Sequence, residues 1–150
     1  MMIDDLDRAL LRLLAQDATL STAELARRLD LSQPQAWRRV KALREAGIIA
    51  GTQIDLDLEK LGLGVTVFLG LKLRAKGRVS LDDLERAVSA IPEVTEVQHV
   101  LGQYDYRLRV TARDLPDFER LLRRRLMTLP GVGEVEANVL LSEELLPGPL

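Results

Sequence analysis

The 150-residue chain contains no cysteine. That excludes disulfides, thiolate metal sites and a cysteine nucleophile. Histidine occurs once, at His99. A serine–histidine–aspartate triad would have to use it, and a typical zinc site lacks its second imidazole. His99 falls in a strand-like stretch, where a lone histidine is packed or hydrogen-bonded far more often than catalytic. No phosphate-binding glycine loop is present. No catalytic residue, metal site or cofactor is therefore expected, and the chain does not read as an enzyme. Long apolar runs are missing too. The start, Met1-Met2-Ile3-Asp4-Asp5, is acidic, so neither a secretion signal nor a membrane span is expected, and the cytoplasm is the expected location.

A large charge of either sign is also absent: the formal net charge is −2. The distribution is more telling. Residues 1–50 carry 8 basic and 7 acidic side chains, the remainder 13 and 16. Between Gln33 and Ala46, Arg38, Arg39, Lys41 and Arg44 face only Glu45, a local charge of +3. Positive charge gathered on one short helix suits a nucleic-acid contact better than the total does. A solvated helix face would look the same.

Helical periodicity is clear in the first fifty residues. Leu6, Leu10, Leu13 and Leu14 mark a first amphipathic helix. Ser21 and Glu24 sit at capping-box spacing before a second, over about Thr22–Leu29. Ser32 and Gln35 repeat that spacing before a third, with Pro34 in its first turn and Gly47 past its end. Ala36, Val40 and Leu43 form its apolar stripe; Gln35, Arg38 and Lys41 fall elsewhere, and Arg39 at the boundary. Two short helices joined by Asp30-Leu31-Ser32, with a small residue at Ala26, have the form of a helix-turn-helix. Its second helix would offer Gln and Arg to base edges. A plain three-helix bundle would show the same stripes. Trp37 is expected at the edge of the core.

The remaining hundred residues contain a repeat. Leu71–Ala75, Leu81–Arg86 and Ile91–Val97 match Leu108–Ala112, Leu115–Arg120 and Leu129–Val135. Each copy reads as strand, helix, proline stop and strand, the second helix being about one turn longer. Val65, Val67, Leu69, Leu71 and Leu73 share one strand face; Tyr106, Leu108, Val110 and Ala112 share another. Two such units make β-α-β-β-α-β, a ferredoxin-like sheet covered by helices on one side. A second copy of the chain would cover the other side, so a homodimer is expected. The fold class is thus α+β. An N-terminal three-helix (winged) helix-turn-helix domain, residues 1–50, precedes a ferredoxin-like domain, residues 65–150. Residues 51–64 link them, with a short strand expected at Ile54. The tail after Glu144 is expected to be irregular.

This arrangement resembles the Lrp/AsnC (leucine-responsive, feast/famine) family of transcription regulators. Leu6-Asp7 with its helix, Leu31–Val40, Glu45-Ala46-Gly47-Ile48-Ile49 and Gly102-Gln103-Tyr104-Asp105-Tyr106 carry the resemblance. It implies sequence-specific binding to double-stranded DNA through Ser32, Gln33, Gln35, Arg38, Arg39 and Lys41. It also implies dimers that associate further, commonly to octamers. A small-molecule effector, usually an amino acid, would bind the second domain, with Gly102, Tyr104 and Asp105 as effector residues. In that role a carboxylate holds an ammonium and a glycine loop meets a carboxylate. A tight turn built for its geometry is the other reading of this loop. Three departures stand out. Asp30 occupies a turn position that is often glycine, and Asp tolerates the left-handed conformation. Val135 and Ala137 stand where effector-binding members often have threonine. Those missing hydroxyls leave open a more apolar effector, another use of the pocket, or an effector-independent protein that wraps DNA.

Overall fold

The computed structural model of the chain describes residues 1–74 and 81–150. They form two compact units, Met1–Asp55 with Glu144–Leu150, and Leu56–Glu143.

The first unit holds three helices, α1 (Asp5–Gln16), α2 (Thr22–Arg28) and α3 (Gln33–Glu45). Each has a side-chain N-cap, because the first amides of a helix lack intrahelical acceptors. Asp4 and Asp7 form a reciprocal box on α1, Ser21 caps α2, and Ser32 and Gln35 form a second box on α3. Both α2 and α3 end in the same turn. Leu31 N–H reaches Ala26 O at 2.8 Å, and Ile48 N–H reaches Leu43 O at 3.0 Å. This closure needs a left-handed residue just past the helix. Gly47 supplies it after α3 at φ 74°, and Asp30 after α2 at φ 54°. Aspartate therefore does the work of glycine between α2 and α3. Leu10, Leu25, Ala26, Ala36 and Leu43 form the buried centre.

On α2, Arg27 and Arg28 hydrogen-bond Glu24 and hold its carboxyl down from 4.5 to about 2. Asp117 in the second unit is likewise held at about 2, first by Arg113. Carboxylates depressed in the folded state stabilise it above their unfolded pKa and lose that effect as pH falls through the folded value. The melting temperature should therefore decline between about pH 4.5 and pH 2, and Glu24→Gln with Asp117→Asn should flatten that decline. Both groups are half-buried and still reached by water, so the change is small; an acid profile identical in the double variant would rule out this origin.

The second unit is a four-stranded antiparallel sheet in the order β2-β3-β1-β4. Its strands are β1 (Val65–Leu73), β2 (Val94–His99), β3 (Tyr106–Ala112) and β4 (Val132–Val139). Helices α4 (Leu81–Ser89) and α5 (Leu115–Leu121) connect them, and a π-helical turn, Leu122–Leu126, lengthens α5 as the repeat implied. Val67, Leu69 and Leu71 of β1 and Tyr106, Leu108 and Val110 of β3 pack with Leu84, Val88, Phe118 and Leu126. This is the ferredoxin-like α+β arrangement. Ala75, counted in the first copy of the repeat, lies outside the described residues.

Two expectations need correction. Residues 51–57 carry no strand, and Ile54 is 81% exposed. A strand needs a partner for its amides and carbonyls, and the described residues offer this segment none. Trp37 is not a core-edge residue: it is 53% exposed. The tail from Leu140 onward carries no helix or strand.

Candidate nucleic-acid interface and effector cavity

On α3 the buried residues are Ala36 and Leu43. Helical geometry then points Pro34, Arg38, Lys41 and Glu45 the opposite way. Arg38 is exposed, and among the described residues it has no hydrogen bond or ion pair. Gln33 is exposed and shares that freedom. Lys41 lies 5.0 Å from the centroid of the Trp37 ring and 3.7 Å from Glu45 Oε1. The outward surface thus combines a free guanidinium and a free amide with an ammonium loosely paired to Glu45 and an exposed indole.

Four of the six residues expected at DNA have structural partners, Lys41 through Glu45 and the other three more closely. Ser32 Oγ accepts from Gln35 N–H at 3.3 Å, and Gln35 Oε1 accepts from Ser32 N–H at 2.9 Å. With its oxygen engaged, Gln35 cannot bridge adenine through both amide atoms unless the cap opens. Arg39 is tied to α1. Its Nη1 donates to Asp4 Oδ2 at 2.8 Å, Asp4 Oδ1 at 3.0 Å and Asp7 Oδ1 at 2.9 Å. The Asp4 carboxyl lies below its ordinary range, first through the Asp7 backbone N–H and then through Arg39. Arg38 and Arg39 line a hollow of about 530 Å³ together with Leu6, Leu31 and Gln35.

The second unit carries a cavity of about 340 Å³ on the sheet face away from the helices. Strand register shows how it is built. Phe68 stands opposite Arg109 and Asn138, and Gly70 opposite Arg107 and Glu136. Arg107 lies 4.3 Å over the Phe68 ring. The Tyr104 ring lies directly on Gly70, where an added Cβ would fall 2.8 Å from Tyr104 Cγ. The Tyr104 phenol is pushed above its ordinary value, first by desolvation, then by its hydrogen bond to Glu136 and the charges of Glu136 and Glu134. Phe68, Gly70 and Val100 make an apolar floor, with Arg107 and Glu136 as opposite charges at its sides. An arginine and a carboxylate across an apolar patch suit a small zwitterion.

Gly102 and Tyr104 line this cavity and Asp105 does not. Asp105 Oδ2 accepts from Leu73 N–H at 2.9 Å, and its own N–H reaches Leu71 O at 2.8 Å. The side chain expected to meet an ammonium instead ties the loop to the end of β1. Gly102 needs no glycine for its geometry: its φ is not positive, and a Cβ there would touch nothing. Val135 and Ala137 stand opposite Leu71 and Leu69, on the helix-covered face. The hydroxyls they lack would not have pointed into this cavity. Alternation predicts the inward face of each strand; Phe68, Gly70, Arg107, Glu136 and Asn138 become legible as a site only with the pairing register.

His99 stacks on Tyr106 at 4.8 Å, and Tyr106 Oη donates to Glu85 at 3.3 Å. No described helix is long and apolar enough to cross a membrane.

Residues 3–50 match a winged helix-turn-helix DNA-binding model, and residues 66–148 match the Lrp/AsnC ligand binding domain. The chain is 35% identical over 137 residues to the DNA-binding transcriptional activator DecR of Escherichia coli K12, covering 91% of this chain and 90% of that one. The transcriptional regulator NMB0573 of Neisseria meningitidis, solved as an L-Met complex, superposes with a TM-score of 0.91 at 28% identity, over 99% of this chain and 96% of that one. The feast or famine regulatory protein Rv3291c of M. tuberculosis, complexed with L-methionine, gives 0.86 at 27% identity over 99% of both chains.

Proposed function

The chain belongs to the Lrp/AsnC family of DNA-binding transcription regulators, and from that premise we propose that it is a cytoplasmic, sequence-specific regulator whose DNA binding responds to an amino acid held under the loop at Gly102–Asp105. The observation that carries the effector reading is Gly102. Turn geometry does not require glycine there, whereas a ligand's carboxylate gains from a bare backbone at the rim. Arg107 would share that carboxylate, Glu136 would take the ammonium, and Phe68 and Val100 would meet the side chain. Two structural neighbours solved with L-methionine support this chemistry. Asp105 would hold the loop rather than the ligand. An effector-independent, DNA-wrapping protein is the alternative; Val135 and Ala137, which suggested it, face the helices and so do not line this cavity.

On α3, Arg38 would read a base, with Gln33, Ser32 and Lys41 at neighbouring base or phosphate positions. A homodimer through the open sheet face would present two such helices to paired half-sites. Arg107 and Arg109 together with Glu134 and Glu136 give that face both signs of charge, which a two-fold axis can pair with themselves. Association of dimers to octamers rests on the family resemblance.

Trp37 provides the test, being the only tryptophan of the chain and exposed on α3. Its emission should shift when the protein is titrated with a duplex that the wild-type chain enriches from a random-sequence pool, and an amino acid such as L-methionine should displace that titration curve. An unchanged emission at saturation would move α3 off the DNA. A curve unaffected by each of the twenty amino acids would remove the effector.

A further inference from the structure

Neighbouring arginines on α3 behave differently. Arg38 is exposed and free of partners, while one nitrogen of Arg39 is enclosed by three carboxylate oxygens. Those carboxylates are held in place, although Asp4 is exposed. Asp4 Oδ1 accepts from Asp7 N–H at 2.8 Å, and Asp7 Oδ2 accepts from Asp4 N–H at 3.2 Å. The reciprocal cap of α1 therefore orients both acids before Arg39 reaches them. Asp7 is 3% exposed, and Arg39 is the one cation paired with it among the described residues. A carboxylate so far from water needs its counter-charge. Moving Arg39 out to a DNA phosphate would strand Asp7.

We propose that Arg39 is a positioning residue, which locks the reading helix α3 to the N-terminal turn of α1 through Asp4 and Asp7 and makes no contact with DNA. The lock joins positions 32 and 35 residues apart, and Arg38 is its immediate neighbour on α3. The angle at which Arg38 meets a base edge then depends on it. Base readout tolerates little misplacement, whereas attraction to phosphates is diffuse. The lock should therefore serve discrimination between sequences more than affinity in general. This inference rests on α3 being the reading helix.

Opposite signs make the proposal testable. Asp4→Asn retains a good N-cap, since Asn and Asp cap equally well, while it removes a charge that Arg39 pairs with. Asp7→Asn does the same at the buried position. Simple electrostatics says that deleting an acid beside a DNA surface strengthens binding to every duplex. A positioning role says that the duplex enriched by wild-type protein is bound about tenfold more weakly by Asp7→Asn, while a scrambled duplex of equal length is bound no more weakly. Arg39→Ala should likewise lower the enriched-to-scrambled ratio, yet leave the slope of log affinity against log salt at its wild-type value. A phosphate contact would instead reduce that slope by about one.

Circular dichroism and melting curves would establish that each variant is folded, and Asp4→Asn, with its cap intact, serves if Asp7→Asn is not. Wild-type enrichment of a duplex tests the DNA-reading premise separately, before any variant is compared. Unaltered discrimination in folded Asp4→Asn and Arg39→Ala, tighter binding to both duplexes by Asp7→Asn, or a salt slope lowered by about one in Arg39→Ala would each overturn the proposal.

Discussion

Arg38→Ala is expected to weaken binding to a specific duplex by about 1–3 kcal/mol and to relax the preference at one base position. Three observations set this residue apart. It stands on the face of α3 opposite Ala36 and Leu43, it is exposed, and nothing in its own unit engages it. A free guanidinium can bridge O6 and N7 of guanine, the commonest specific contact in the major groove. Lys41→Ala should differ in kind. An ammonium that meets phosphate weakens all duplexes alike when lost and lowers the salt slope by about one. Gln35→Ala acts through a third route. It removes half of the box that starts α3, so part of its effect is helix stability, of order 1 kcal/mol. Competition against single-base variants of the enriched duplex separates the three. An Arg38→Ala protein with wild-type affinity and wild-type base preference would exclude Arg38 from readout.

Gly70→Val should abolish the response to amino acids. A Cβ at this position falls 2.8 Å from Cγ and 2.9 Å from Cδ2 of Tyr104, so the ring must leave the sheet. Tyr104 lines the cavity and lies one residue before Asp105, whose bonds to Leu71 and Leu73 anchor the loop. Displacing the ring therefore disturbs both the floor and the rim. Overpacking of this sort costs roughly 1–3 kcal/mol of stability, so the variant should remain folded if the rest of the sheet is sound. Gly70 belongs to the second unit and α3 to the first. The expected combination is retained DNA binding with a thermal shift toward L-methionine reduced at least tenfold in apparent affinity. A full shift in Gly70→Val would place the effector elsewhere.

Helix starts and stops were legible in the sequence because capping is local chemistry. Asp30 shows how far that goes: its tolerance of left-handed backbone is a property of one side chain, and its φ of 54° follows. The ferredoxin-like sheet was legible from the repeat, since β1 and β3 alternate apolar residues over their whole length. Two kinds of information were not local. Arg39 has the chemistry of a base or phosphate reader, and sequence does not say that a pair of acids already engages it; the cap on Gln35 was legible from its spacing to Ser32, but not that it occupies the amide oxygen. Asp7 and Arg39 carry no mutual signal at a separation of 32 residues. The cavity was hidden for a related reason. Phe68, Arg107 and Glu136 lie on three strands and meet only through register, and Asp105 had the right charge but the wrong direction. Ile54 has strand character, and a strand exists only where a neighbour accepts it.

The order β2-β3-β1-β4 leaves two strands with an unpaired side, β2 and β4. An unpaired strand is a template onto which another chain can add without limit. Here both open margins carry carboxylates and neither carries a lysine or arginine: Glu96 lies on β2, and Glu134 and Glu136 on β4. Margins of the same sign repel one another as two sheets approach edge-on. The cationic groups of this sheet, Lys72 on β1 and Arg107 and Arg109 on β3, stand on the interior strands instead. Charge is thus sorted between rim and face, and growth into a fibre is disfavoured while closure into a finite particle remains open.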